Sequence, residues 1–377
     1  MDILCLSTSA YFTFPTRKHH VMQRLKNHRV LFVDPAVTWL APLRDKSARP
    51  SLNAWREPPK RDQAHPHIEV IAQPPVLPFY NKYRAVNRRN QKRLAKYLQR
   101  RMDDAGMQNP LLWVYTPTAV DLLDDLPHGG VVYDCIDRHS GYPGLISPAV
   151  VDAMDEELAR RADAVFTTAD GLCERLSPLN THTALIPNGV NYVLFANAPM
   201  QPLNEKPTLG FSGPIQHCID TGLVAYAARK RPDWHFRFLS KPLPGVDITP
   251  LVGLPNVEIT GLRPYHEMPA ALSGLDVCLN LFSSGDLARD VSPLKFYEYL
   301  AVGKPIVSTP QPVQVQQYAD VIEIADGPEA FVAACERALA DQDPARRDKR
   351  RAYAEACSWE ARVAEMEEKL KEWKVMM

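Results

Sequence analysis

Apolar residues in this chain fall into short runs of four to seven positions, and the runs alternate with stretches whose apolar residues recur every three or four places. In the first half the runs at 3–6, 30–33, 111–115, 131–135, 164–167 and 184–186 read as buried strands, with a further strand at 68–71. Between the first two, residues 17–27 place Val21, Met22 and Leu25 on one helical face; segments 149–162 and 171–176 read as helices in the same way. Strand, helix, strand in this order predicts right-handed crossovers and a parallel sheet. The pattern restarts at 208–212 and continues through strands at 234–239, 257–260, 276–282, 306–309 and 321–325, with helices at 220–230, 267–275 and 328–340. The fold class is therefore α/β, with two Rossmann-like domains and a ligand site expected between them, beyond the carboxyl ends of the strands.

Length agrees, because 377 residues exceed what one ordinary core holds. The chain is 45% apolar and 23% charged, ordinary globular values, and 44 basic residues balance 44 acidic ones. Zero net charge removes any global argument for a nucleic-acid partner. The seven cysteines form no C-x-x-C pair and sit mostly in apolar runs, which suits small core residues in a reducing compartment and gives no zinc site. The first residues, M-D-I-L-C-L, fail as a secretion signal, and no run approaches about 18 apolar residues, so a cytoplasmic location is expected.

Three local features stand out against this neutral background. Residues 35–80 are Pro-rich and irregular, and the loop at 7–16 carries Tyr11, Phe12 and Phe14, either as packing or as an acceptor-facing edge. Segment 82–101 then holds nine Lys and Arg with no acid, interspersed with Tyr83, Val86, Leu94, Tyr97 and Leu98. Such a basic amphipathic helix can rest on anionic lipid headgroups at the inner membrane face; alternatively its apolar stripe docks on the sheet and leaves a solvated basic face.

The strongest chemistry lies at 292–305, S-P-L-K-F-Y-E-Y-L-A-V-G-K-P. Ser292 can cap a helix, Pro293 suits its first position, and Gly303 with Pro305 ends it. A helix starting just past a strand end presents free N–H groups to an anion. Lys295 and Glu298 share one side of it, yet Lys before Glu is the weaker order for an ion pair, and a first-turn Lys opposes the helix dipole. Stability alone would not choose this arrangement. A lysine beside a diphosphate and a carboxylate accepting from a ribose diol would.

This run, continuing I-V-S-T, resembles the donor-binding motif of the retaining GT-B-fold glycosyltransferases of family 4, the glycosyl transferases group 1. The resemblance implies a GT-B fold: an acceptor domain at 1–192, completed by a C-terminal helix at 358–377 that crosses back to it, and a sugar-nucleotide domain at 193–357, the two parallel sheets facing a central cleft. Pro187-Asn188-Gly189-Val190 would close the first domain. It implies transfer of a hexose from a nucleotide-diphosphate sugar to a glycan or lipid-linked acceptor, in cell-surface or extracellular polysaccharide synthesis, without metal or cofactor. Ser292, Pro293, Leu294 and Lys295 would meet the diphosphate and Glu298 the ribose, with Gly213 beside the phosphates and Arg263, after Gly261 and Leu262, near the nucleobase or simply on the surface. Arg289 could reach phosphate through two parallel hydrogen bonds. In the first domain Asp137 and His139, past a strand end, could orient an acceptor hydroxyl or bind the donor sugar, whereas Asp134 suits a loop or capping role. The family's acid seven residues before the glutamate is Val291 here, with Asp290 adjacent, so the contact to the donor sugar is unassigned. A sugar-nucleotide epimerase and a non-catalytic sugar-nucleotide-binding subunit are the alternatives.

Overall fold

A computed structural model describes residues 1–141, 144–285 and 289–376. The first sheet comprises β1 (Asp2–Leu6), β2 (Arg29–Asp34), β3 (Lys60–Arg61), β4 (Ile68–Ala72), β5 (Leu111–Val114), β6 (Gly130–Cys135), β7 (Ala164–Thr167) and β8 (Thr183–Leu185). Their spatial order is β3-β4-β2-β1-β5-β6-β7-β8, and every pairing is parallel except the antiparallel edge of β3 on β4. Continuous apolar runs such as Leu111–Val114 are buried at every position, as strands covered on both faces must be. The edge strand β3 has two exposed charged residues and no apolar alternation, so the sequence pattern carries no sign of it. Around it the Pro-rich stretch folds into a short helix at Ala41–Arg44 and three single 3-10 turns.

The second sheet comprises β9 (Thr208–Ser212), β10 (His235–Leu239), β11 (Val257–Ile259), β12 (Val277–Asn280), β13 (Ile306–Ser308) and β14 (Glu323–Ile324), ordered β11-β10-β9-β12-β13-β14 and parallel throughout. Leaving out the β3 edge, both sheets follow one plan: three strands laid down in one direction, then a return across the first strand. The order reverses between β1 and β5 in the first sheet and between β9 and β12 in the second. In open α/β sheets ligands bind beyond the carboxyl ends of strands at such reversals.

The chain divides into two compact units, Met1–Ile186 with Val363–Met377, and Pro187–Arg362. The change of unit falls before the Asn188-Gly189-Val190 run, and the last helix, Trp359–Glu372, begins in the second unit and continues in the first. Each unit has its own apolar core; that of the first joins Leu4, Leu31, Leu112 and Tyr133 to helix residues Leu94, Leu98, Met154 and Leu158.

The basic helix runs from Arg84 to Asp104. Leu94, Ala95, Leu98 and Met102 are buried in the first core, so the apolar stripe is spent on the sheet rather than offered to lipid. Arg84 pairs with Asp121 and Glu157, and Arg101 donates to the carbonyls of Trp55 and Glu57. Arg88, Arg89, Lys92, Arg93, Lys96 and Arg100 form the exposed face. Among the described residues no helix is long and apolar enough to cross a membrane.

Candidate functional site

The helix of the 292–305 motif spans Leu294–Val302 and starts one residue later than its sequence suggests. Pro293 is the cap residue, extended at φ −78° and ψ 105°, and Ser292 does not cap. The Ser292 hydroxyl instead accepts from the Asn188 backbone N–H at 3.1 Å, while the Asn188 side-chain amide donates to the Ser292 carbonyl at 2.8 Å. A proline held extended pushes the first helical residue to Leu294, and Asn188 pins that geometry. At the far end Gly303 is left-handed at φ +82° and donates to the Tyr299 and Leu300 carbonyls, closing the helix as its sequence predicts. Part of the preceding polar loop, 286–288, lies outside the described residues.

Because the helix follows β12 and packs beside β9, its first turn stands at the reversal point of the second sheet. The Tyr299 hydroxyl ties it there, accepting from the Ser212 N–H at 2.9 Å at the end of β9. Gly213 follows at φ +86°, and a Cβ on it would lie 3.6 Å from both Cε and Nζ of Lys295. Glycine thus serves twice, supplying a conformation that other residues resist and leaving the space beside the ammonium open. Lys295 Nζ sits 3.9 Å from the Phe211 ring centroid and 5.8 Å from that of Phe282. These aromatic faces hold a cation without neutralising it.

Lys295 and Glu298 do not make the ion pair that a plain surface reading would give them. Among the described residues neither side chain has a hydrogen-bond or salt-bridge partner, although both are half-buried. Burial dominates both titrations. It draws the Lys295 ammonium down from 10.5 to about 8 against the weaker attraction of Glu298, and pushes the Glu298 carboxyl up from 4.5 to about 8 against that of Lys295. Two ionisable ends half-removed from water and left unpaired are costly, and such groups mark ligand sites more often than structural ones.

The other residues singled out from sequence are distributed unevenly. Leu294 is the half-buried first residue of the helix. Arg289 is exposed just before it, and Asp290 is buried. Val291 packs its side chain against the apolar core of the second unit, so the position covers core. Arg263 follows the edge strand β11, is exposed, and approaches Glu267 at 3.9 Å.

In the first unit Asp134 is fully buried and accepts the Arg17 Nε–H with both oxygens at 3.0 Å, while Arg17 Nη1 donates to the Ile186 carbonyl at 3.0 Å. That is a paired structural carboxylate, not a loop cap. Asp137 is half-buried two residues past β6. His139 opens a 3-10 turn, with its ring hydrogen-bonded to the Tyr115 backbone; burial lowers its pKa, and Asp137 opposes the shift. In the 7–16 loop Tyr11 is buried and donates to Asp62 at 2.6 Å, whereas Phe12 and Phe14 are exposed. Sequence reasoning missed Arg17, Lys18, Tyr115, Asn188 and Tyr299. Arg17 and Lys18 open a helix, where cations are electrostatically out of place, and that was the available signal.

Known proteins match this arrangement. The family described as "Glycosyl transferase-like" matches residues 222–368, which include the Lys295 and Glu298 helix. The Bacillus subtilis (strain 168) protein TuaH, described as a teichuronic acid biosynthesis glycosyltransferase, is 31% identical over 274 residues, covering 66% of this chain and 68% of TuaH. Among solved structures, sucrose-phosphate synthase from Thermosynechococcus elongatus superposes with a TM-score of 0.73 at 16% identity, covering 99% of both chains. Anabaena HepE in complex with UDP and glucose gives 0.65 at 14%, covering 98% of this chain and 99% of its own. The chain belongs to the group 1 glycosyltransferases of GT-B fold.

Proposed function

We propose that the protein transfers a hexose from a nucleotide-diphosphate sugar to a glycan or lipid-linked acceptor, with retention and without a metal ion, in the synthesis of a surface or extracellular polysaccharide. The observation that carries this reading is the pair Lys295 and Glu298, one helical turn apart, without an ion-pair partner among the described residues, and set beside Gly213. A diphosphate there would meet the Lys295 ammonium and the N–H groups of the helix start, and Glu298 would accept from the ribose hydroxyls. The teichuronic acid biosynthesis named in TuaH's description supports the polymer class, and the UDP of the HepE structure supports a nucleotide donor.

In the transfer, the bond from the anomeric carbon to the diphosphate oxygen breaks and a bond to the acceptor hydroxyl oxygen forms on the same face. The departing phosphate takes the hydroxyl proton. Lys295, the helix N-terminus and Arg289 would stabilise the leaving charge. Asp137 and His139 of the first unit would orient the acceptor hydroxyl or the donor sugar. The exposed basic face at Arg88–Arg100 fits the headgroups of an anionic membrane on which a lipid-linked acceptor would be met, by electrostatic contact alone.

The test is a thermal-shift and calorimetric panel of sugar nucleotides against the wild type and Glu298→Ala. A ligand at 100 times its Kd stabilises by about 2.7 kcal/mol, and Glu298→Ala should weaken nucleotide binding at least about tenfold. Equal binding of uridine and guanosine diphosphates by both proteins would refute the assignment. Transfer of sugar to any acceptor removes the non-catalytic alternative, and release of free nucleotide removes the epimerase.

A further inference from the structure

The reversal point of the first sheet lies between β1 and β5, and it holds a cation that the fold does not neutralise. Lys18, in the helix after β1, is 4% exposed. Its ammonium reaches only Ser9 Oγ, at 3.5 Å, and stands 5.6 Å from the centroid of the Tyr115 ring just past β5. Among the described residues it makes no ion pair. The neighbouring Arg17 is equally buried but has both oxygens of Asp134, so the carboxylate within reach is already engaged. Asp137 and Asp134 attract Lys18 from a distance, and burial outweighs them. The Tyr115 hydroxyl is fully buried, makes no well-formed hydrogen bond among the described residues, and has the Arg17-bound Asp134 as its neighbouring carboxylate.

A buried ammonium without an ion pair and a buried phenol without a well-formed hydrogen bond, among the described residues, lie at the strand reversal where open α/β sheets take ligands. Internal packing does not explain them, because an unmatched buried charge is among the costlier features a fold can carry. We propose that Lys18, Tyr115 and Ser9 form a subsite for an anionic oxygen group on the substrate handled by the first unit, either a sugar carboxylate or a phosphate. Two neighbouring donors suit a group with several acceptor oxygens and no proton to give, and a charge-assisted hydrogen bond is the strong kind. Asp137 and His139 follow β6, the next strand, so the same substrate's hydroxyls would lie towards them. The inference deepens the transferase reading by making its acceptor acidic, and it rests on that reading.

The experiment uses the full chain and titrates D-glucuronate, inorganic phosphate and D-glucose at constant ionic strength, by calorimetry and thermal shift. The variants are Lys18→Met, Tyr115→Phe and Lys295→Ala. Either glucuronate or phosphate should bind the wild type and glucose should not, which also tells carboxylate from phosphate. Lys18→Met should weaken that anion about tenfold or more and Tyr115→Phe about threefold, with UDP binding unchanged in both; Lys295→Ala should keep the anion and lose UDP. If Lys18→Met does not fold, Tyr115→Phe, which removes one oxygen, carries the test. Binding of neither anion, equal binding of glucose, or loss of the anion in Lys295→Ala but not in Lys18→Met would overturn the subsite. Failure of every protein to bind any nucleotide would overturn the donor reading instead, whatever the anion result.

Discussion

Both units reverse their strand order at the corresponding point, and the first holds there a matched cation beside an unmatched one. In the second unit Lys295 is half-buried against two aromatic rings beside Gly213, with no carboxylate in contact among the described residues. In the first unit Arg17 is sealed inside and matched by Asp134, with Lys18 beside it. Topology chooses where a ligand site can form. The side chains decide whether the charge there serves folding or binding.

The largest expected effect breaks the structural half of that contrast. Arg17→Met leaves Asp134 buried without its partner and should cost about 3–5 kcal/mol, a fall in Tm of roughly 10 °C; a fall under 2 °C by calorimetry would mean the pair is not the anchor it is taken for.

Next comes the outer surface of the first unit. Reversing Lys92, Arg93 and Lys96 to Glu removes three cations from an exposed face. At about 1 kcal/mol per cation near an anionic surface, binding to phosphatidylserine-containing vesicles should fall more than about a hundredfold. Binding to phosphatidylcholine alone should be weak in both proteins, and equal sedimentation of both on the anionic vesicles would remove the membrane from the account.

The binding half of the contrast has a pH signature. Lys295 loses its proton near pH 8 in the free protein, and a bound diphosphate would raise that pKa, so binding takes up a proton. UDP affinity should weaken about threefold from pH 8 to pH 9, because loss of the Lys295 proton outweighs the gain in ionised Glu298, and Lys295→Arg, which stays charged, should abolish the fall. A flat wild-type profile would separate Lys295 from the diphosphate.

The smallest effect has the opposite sign from most mutations. The folded-state pKa of Glu298 is raised, so its contribution is most favourable below the unfolded value of 4.5 and is lost as pH rises to about 8. Glu298→Gln keeps the shape without the charge. It should be more stable than the wild type by about 1 kcal/mol at pH 8 and nearly equal at pH 4.5, while binding nucleotide less well; denaturant midpoints at the two pH values check this. Equal stability at both would mean the carboxylate is better solvated than its surroundings imply.

Much of this was legible from sequence, for identifiable reasons. Leu111–Val114 is apolar at every position because both faces of the sheet are covered, and Gly303 ends its helix because only a residue without Cβ adopts that φ cheaply. Lys295 and Glu298 were visible as a pair placed against the helix's own electrostatic preferences. Ser292 was misread because capping propensity is local, whereas its hydroxyl is claimed by Asn188, 104 positions away in the chain. The charged edge strand β3 escaped because two exposed residues carry no periodicity.

The amino-acid sequence by itself determined the alternation of strands and helices and the position of the helix that carries Lys295 and Glu298, since these follow from the spacing of apolar residues and from local backbone chemistry. Only the tertiary structure decided which charges are matched. Arg17 and Lys18 are adjacent basic residues with nothing in the chain to tell them apart. One meets Asp134 across 117 positions and the other, among the described residues, meets a serine hydroxyl and a tyrosine ring. Partnering over that distance is set by how the sheet brings strands together, and it separates a residue that holds the fold from one that can hold a ligand.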